Sequence, residues 1–288
     1  MSQSHKSPLR VAIAGLGAVG LKLAHELDKG IEGLTLAAVS ARDKPAAAER
    51  LSGLKTKVPV LDIADLEPLA DVVIECAPSA LLPAIATPFL KKGKIVIVLS
   101  AGALLTNMDL VDLAKAHGGQ IVVPTGALIG LDAVTAAAQG EIQSVKMVTR
   151  KPVKGLLGAP FLTENNIRIE DIKEPIRIFS GTPREAAVGF PANLNVAVAL
   201  GLAGIGVDRT TLDIWADPAL DRNTHTVEVV SDSASFTMTI ANIPSENPKT
   251  GRITALSVLA YLRKMNAPLH HVVGHRNFLG CVYVHNPA

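Results

Sequence analysis

The segment Arg10-Val-Ala-Ile-Ala-Gly15-Leu-Gly17-Ala18-Val19-Gly20 constrains this chain more than any other stretch. Val11 to Ile13 form an apolar run of β character that ends in Gly15-x-Gly17-x-x-Gly20, and a leucine- and alanine-rich helical pattern follows from Leu21 to Leu27. A strand, a glycine-rich turn and a helix in immediate succession is the context in which such glycines mean dinucleotide binding. Gly15 permits the tight turn, Gly17 admits a pyrophosphate close to the backbone, and Gly20 lets the helix pack against the strand. The first helical turn, with Ala18 and Val19, then points free N–H groups at the anion.

From Arg10 to Pro124, short apolar runs alternate with helical segments. The runs are Val11–Ala14, Leu34–Val39, Val72–Cys76, Ile95–Leu99 and Ile121–Val123, with a helix predicted over Asp109–His117. This rhythm predicts an α/β fold with a Rossmann-type, doubly wound parallel sheet. Ligands bind such sheets at the carboxyl ends of the strands, so the glycine turn, Ser40 to Asp43, and Ala77-Pro78-Ser79 are expected around one crevice.

The rhythm then changes. Ser144–Thr149, Ile167–Ile169 and Arg177–Phe179 read as short strands, Ala192–Ala203 as a helix, and Thr224–Val230 and Ser235–Ala241 alternate as half-buried antiparallel strands do. The expected organisation is a dinucleotide-binding domain over residues 1–124, a smaller α+β substrate domain over 125–245, and a helical segment within 246–270, Thr250–Lys264, that returns to the first domain. Residues 271–288 form a tail to which no role is assigned.

Composition excludes several classes. Of the 288 residues, 48% are hydrophobic and 3% aromatic, so the core is expected to be aliphatic. The net charge of +2, without basic runs interleaved with aromatics, argues against a nucleic-acid partner. No apolar run reaches the roughly 18–20 residues of a membrane span, and Met1 to Pro8 lacks a signal-peptide core. Cys76 and Cys281, the two cysteines, make no disulfide framework, and no ligand spacing suggests a metal. A cytoplasmic protein is expected, and a homodimer is the default assembly.

At the end of the second strand, where a carboxylate usually accepts the ribose of NAD, the chain has Val39-Ser40-Ala41-Arg42-Asp43. With Ser40 in that position, Arg42 can pair with a 2′-phosphate and NADP is favoured; if Asp43 reaches the ribose, NAD is favoured. Hydride transfer also needs an acid–base group and donors for substrate carboxylates. Of the eight histidines, His225 stands at the start of a strand after a polar turn, whereas His25 and His117 lie on predicted helices. Asn193 suits a helix N-cap, while Asn195 is a candidate amide for nicotinamide or substrate. Arg150, Lys151 and the Gly126–Gly130 loop, Gly126 first, are candidate carboxylate donors.

Four strings together are specific: Pro124-Thr-Gly126-Ala-Leu-Ile-Gly130-Leu-Asp132, Arg150-Lys151-Pro152, Phe190-Pro-Ala-Asn-Leu-Asn195-Val and Asn223-Thr-His225-Thr. In order and spacing they resemble the L-aspartate dehydrogenase family, over most of Arg10 to about Pro268. The resemblance implies NAD(P)-dependent oxidative deamination of L-aspartate to iminoaspartate, which hydrolyses to oxaloacetate and ammonia or feeds NAD synthesis. It implies that His225 matches the active-site histidine and that Ile129, through its backbone, and Asn195 match nucleotide-binding positions. A histidine titrating near neutrality would take the proton from the substrate amine. Homoserine dehydrogenase-like and dihydrodipicolinate reductase-like enzymes share the expected architecture, and a non-catalytic NAD(P)H sensor is the alternative from another class.

Overall fold

A computed structural model describes residues 7–190, 194–245 and 251–269. Its elements run β1 (Leu9–Ala14), α1 (Ala18–Lys29), β2 (Leu34–Ser40), α2 (Lys44–Arg50), β3 (Val60–Leu61), β4 (Val72–Glu75), α3 (Leu82–Lys91), β5 (Ile95–Val98), α4 (Ala101–Leu104), α5 (Asp109–His117) and β6 (Gln120–Val122). There follow α6 (Leu131–Ala137), β7 (Ile142–Lys151), α7 (Pro160–Glu164), β8 (Ile176–Gly181), α8 (Pro183–Gly189), α9 (Asn195–Ala203), β9 (Thr211–Ala216), β10 (Thr224–Ser231), β11 (Ser235–Ala241) and α10 (Ile253–Lys264).

The first six strands form a parallel sheet in the order β3-β2-β1-β4-β5-β6, so the chain reverses direction across the sheet beside β1. Its strands are apolar on both sides because both faces are covered. Val11, Ile13, Val72 and Ile74 pack with Leu23 and Leu27 of α1 and with Val258, Leu259 and Leu262 of α10. Ala12, Ala14, Val73 and Val96 pack with Ile85, Phe89 and Leu90 of α3 and Leu110 of α5. The C-terminal helix thus packs on the first sheet.

The second sheet is mixed, in the order β11-β10-β7-β9-β8, with β7 and β9 parallel. β9 is absent from the sequence expectations, although Leu212, Ile214 and Ala216 alternate inward as a one-sided strand requires. Ile167–Ile169, expected as a strand, joins no ladder: Asn166 takes a left-handed backbone (φ 53°), and Ile169 is buried as an anchor of the core rather than by pairing. The expected helix start at Ala192 and the Asn193 cap lie outside the described residues, as do Thr250, the 271–288 tail and Cys281; α9 is described from Asn195. Among the described residues, no helix is long and apolar enough to cross a membrane.

Three of the six phenylalanines concentrate in the second core, where Phe161, Phe179 and Phe190 stack with ring centroids 5.1–5.7 Å apart. Phe190 is fully buried. Phe190→Ala removes a ring from both contacts, and urea unfolding should show a loss of about 3–5 kcal/mol.

Candidate active site

The crevice at the carboxyl ends of the first sheet is shaped by backbone rather than by side chains. Gly15 has φ +104°, and a Cβ there would lie 2.6 Å from the Cys76 carbonyl oxygen and 2.8 Å from the Ala77 nitrogen. At Gly20 a Cβ would meet the Gly15 oxygen at 2.1 Å, so helix and turn touch without room for a methyl group. Nothing lies within 4 Å of the corresponding position at Gly17, which is also exposed. No side chain caps α1, so the N–H groups at Ala18, Val19 and Gly20 open onto this space. These features fit a dinucleotide pyrophosphate, with Ala77 and Pro78 on the β4 side of the turn.

At the edge of the crevice Ser40 is buried and its carbonyl accepts the Gly15 N–H at 2.9 Å. Arg42 is exposed. Asp43 is exposed and is the N-cap of α2, its Oδ1 accepting the Ala46 N–H at 3.0 Å. Sequence reasoning missed Arg50, whose Nη1 donates to the Leu16 carbonyl at 2.6 Å across the glycine turn; no local spacing marks it.

Inside the sheet, Glu75 ends β4 fully buried. Burial pushes its carboxyl above the usual range, and the opposing pull comes from the Leu99 and Ser100 N–H groups and the Ser100 hydroxyl, at 2.8–3.1 Å. Those bonds fix the start of α4, whose Gly102 N–H donates to Asn195 Oδ1 at 3.1 Å. Asn195 is thereby oriented from the first sheet although it belongs to α9.

A cleft opens where the two sheets meet. Leu99, Thr125, Gly126, Lys151, Asn195, Asn223, His225 and Asn242 are among the residues lining it. Its chemistry is set by the pairing of β7 with β10, which places His225 opposite Thr149. Thr149 Oγ1 and His225 Nδ1 lie 2.7 Å apart, leaving Nε2 for the cleft. Lys151, two residues along β7, shares that face and is the diagonal neighbour of His225. Lys151 is 4% exposed and His225 3%. Burial lowers the lysine to about 8. Burial and the adjacent Lys151 charge lower His225 to about 3, so the imidazole is neutral across the physiological range. The expectation of a histidine titrating near neutrality is corrected accordingly.

Other expectations are corrected by geometry. Arg150 faces the opposite side of the sheet from Lys151, because side chains alternate along a strand. Its guanidinium stacks 4.8 Å over Trp215 and reaches Asp217 at 3.5 Å. Gly126 lines the cleft, but its N–H already donates to Ser257 Oγ at 3.1 Å, which removes it as a carboxylate donor. Ile129 is half-buried, and Thr125 to Ala127 of the same loop line the cleft. His25 and His117 lie on α1 and α5 as expected. Sequence reasoning missed Asn242, whose Nδ2 donates to the Ala127 carbonyl at 2.9 Å and pins that loop. Among the described residues, no cluster of three metal-ligating side chains occurs.

The capping role of Asp43 gives a direct check. Asp43→Ala should cost about 1 kcal/mol of stability in urea.

Comparison with known proteins agrees with this geometry. Residues 15–124 match the family described as the NAD binding domain of homoserine dehydrogenase, and residues 132–265 match aspartate dehydrogenase, C-terminal. An L-aspartate dehydrogenase of Bradyrhizobium diazoefficiens is 62% identical over 93% of this chain and 95% of its own length. L-aspartate dehydrogenase 3 of Bordetella bronchiseptica is 58% identical over 92% of this chain and 98% of its own. Among solved structures, aspartate dehydrogenase from Thermotoga maritima superposes with a TM-score of 0.71 at 25% identity, covering 92% of this chain and 99% of that one. The nucleotide half is thus of a kind shared with homoserine dehydrogenase, and the second half decides between them: the chain belongs to the aspartate dehydrogenase family.

Proposed function

We propose that this protein catalyses the reversible, NAD(P)-dependent oxidative deamination of L-aspartate to iminoaspartate, which water converts to oxaloacetate and ammonia. The observation that carries the reading is the cleft itself. Among the described residues lining it, the titratable side chains are Lys151 and His225 and no carboxylate is present, which suits a dianionic substrate beside a bound nucleotide. Gly15, Gly17 and Gly20 would hold the pyrophosphate, and Asn195 would meet the nicotinamide end. When bound, the nicotinamide supplies the acceptor for the substrate hydride.

The Asn223 and Asn195 amides are donors for the substrate carboxylates, with the basic Lys151 beside them in the cleft. His225 presents Nε2 to the reacting carbon and hydrogen-bonds the water that attacks the imine. Release of iminoaspartate before that attack would place the reaction in pyridine nucleotide synthesis. A cytoplasmic homodimer completes the reading, supported by the sparse cysteines and the prevalence of two-fold assemblies. Light scattering on the purified protein checks the dimer.

Nicotinamide absorbance with L-aspartate and NAD or NADP, and with oxaloacetate, ammonia and the reduced cofactors, tests the reaction. Turnover confined to aspartate is expected; tight NADPH binding without turnover on any amino acid would sink it. His225→Ala should lose roughly 10²–10³-fold in kcat, as for loss of a positioned hydrogen-bonding group, with NADPH affinity nearly unchanged. Arg42→Ala should weaken NADPH roughly tenfold and leave NADH unaffected, as expected for loss of one charge-assisted phosphate contact.

A further inference from the structure

Oxidation at the α-carbon requires an uncharged amine, because an ammonium nitrogen has no lone pair with which to form the C=N bond. Some group must therefore accept a proton from the bound amino acid. The residue type suggests His225, but its surroundings do not. Its Nδ1 partner is the Thr149 hydroxyl, which brings no negative charge to support an imidazolium. Among the described residues, the charge that acts on it is Lys151, of the same sign.

We propose that the side-chain amine of Lys151, in its uncharged form, accepts the proton of the substrate's α-ammonium, while His225 stays an uncharged hydrogen-bonding group positioned by Thr149. The inference rests on the aspartate reading above and assigns its proton step. The elements around Lys151 leave no competitor among the described residues. Strand β10 brings His225; α9 brings the neutral Asn195; the loops bring Thr125, Asn223 and Asn242. Asp217, which follows β9, spends its carboxylate on the Ala219 N–H at 3.0 Å and on Arg150. Glu75 is bound to the Leu99 and Ser100 donors. Burial brings Lys151 to about 8, so an appreciable fraction is uncharged in mildly alkaline solution.

In the step, an N–H bond of the ammonium breaks and a new N–H bond forms on Lys151 Nζ. The freed lone pair makes the C=N bond as the C–H electron pair leaves as hydride to the nicotinamide. Lys151 is then an ammonium beside the substrate carboxylates, and it returns its proton to the departing ammonia or to solvent.

The test compares wild type, Lys151→Arg and Thr149→Val by pH profiles of kcat/KM for L-aspartate, succinate inhibition and NADPH fluorescence. In wild type, kcat/KM should rise with pH through a midpoint near 8, because the active form is the deprotonated lysine. Arginine keeps the charge but does not release its proton. Lys151→Arg should therefore lose roughly 10²-fold or more in kcat, with succinate inhibition and NADPH binding within a few-fold of wild type. Thr149→Val, nearly isosteric, should lower kcat and leave the midpoint where it was, with Thr149→Ser restoring kcat. Near-wild-type kcat in Lys151→Arg would show that a fixed cation suffices and would overturn the proposal. So would a midpoint that moves by more than one unit in Thr149→Val, since it would then belong to His225. Failure of wild type to oxidise aspartate at all would instead refute the functional reading.

Discussion

The register between β7 and β10 is the constraint on which the site depends. It sets Thr149 opposite His225 and Lys151 diagonally beside it, on the face that otherwise carries Val145, Met147, Val227 and Val229 into the core. Side chains on a strand alternate, so a slip of one residue would turn this polar group outward and bring Arg150 in. The aliphatic core enforces the register, and the polar group sits at the end of that core, where the ladder meets the cleft. The same burial that stabilises the sheet lowers both basic groups.

The two sheets meet through apolar packing, with Ala101 buried in the second core and Leu202 of α9 set against both cores, and through polar contacts. Gly102 donates to Asn195, Asn242 to Ala127, and Gly126 to Ser257. Each joins a backbone group to a side chain from a distant part of the chain. Glu75 anchors the first of them by holding Ser100, so a buried carboxylate beneath the nucleotide crevice sets the position of an amide on the other side of the cleft.

Much of this was legible from sequence, and the reasons differ by element. The glycine turn and the parallel sheet were readable because local sequence dictates them: Gly15 and Gly20 leave no room for a methyl group, and strands covered on both faces are apolar throughout. His225 and Lys151 were singled out by their place at strand ends and then by motif, whereas their burial and mutual influence arise from cross-strand pairing that no local window contains. Arg150 was misread for the same reason, one residue from Lys151 yet on the opposite face. Arg50, Asn242 and Ser257 were invisible because their partners, Leu16, Ala127 and Gly126, are remote in sequence. β9 was missed although its alternation is present in Leu212, Ile214 and Ala216.

The return of α10 to the first sheet has a consequence for how the chain comes into being. Val258, Leu259 and Leu262 fill the face that α1 leaves open, so the sheet that begins the chain lacks part of its core until the helix near its C-terminal end has been synthesised. Contacts of such long separation form late, because loop closure must precede them. During translation the second sheet can therefore reach its complete core before the first, and the nucleotide-binding half, although made first, is the last to be sealed.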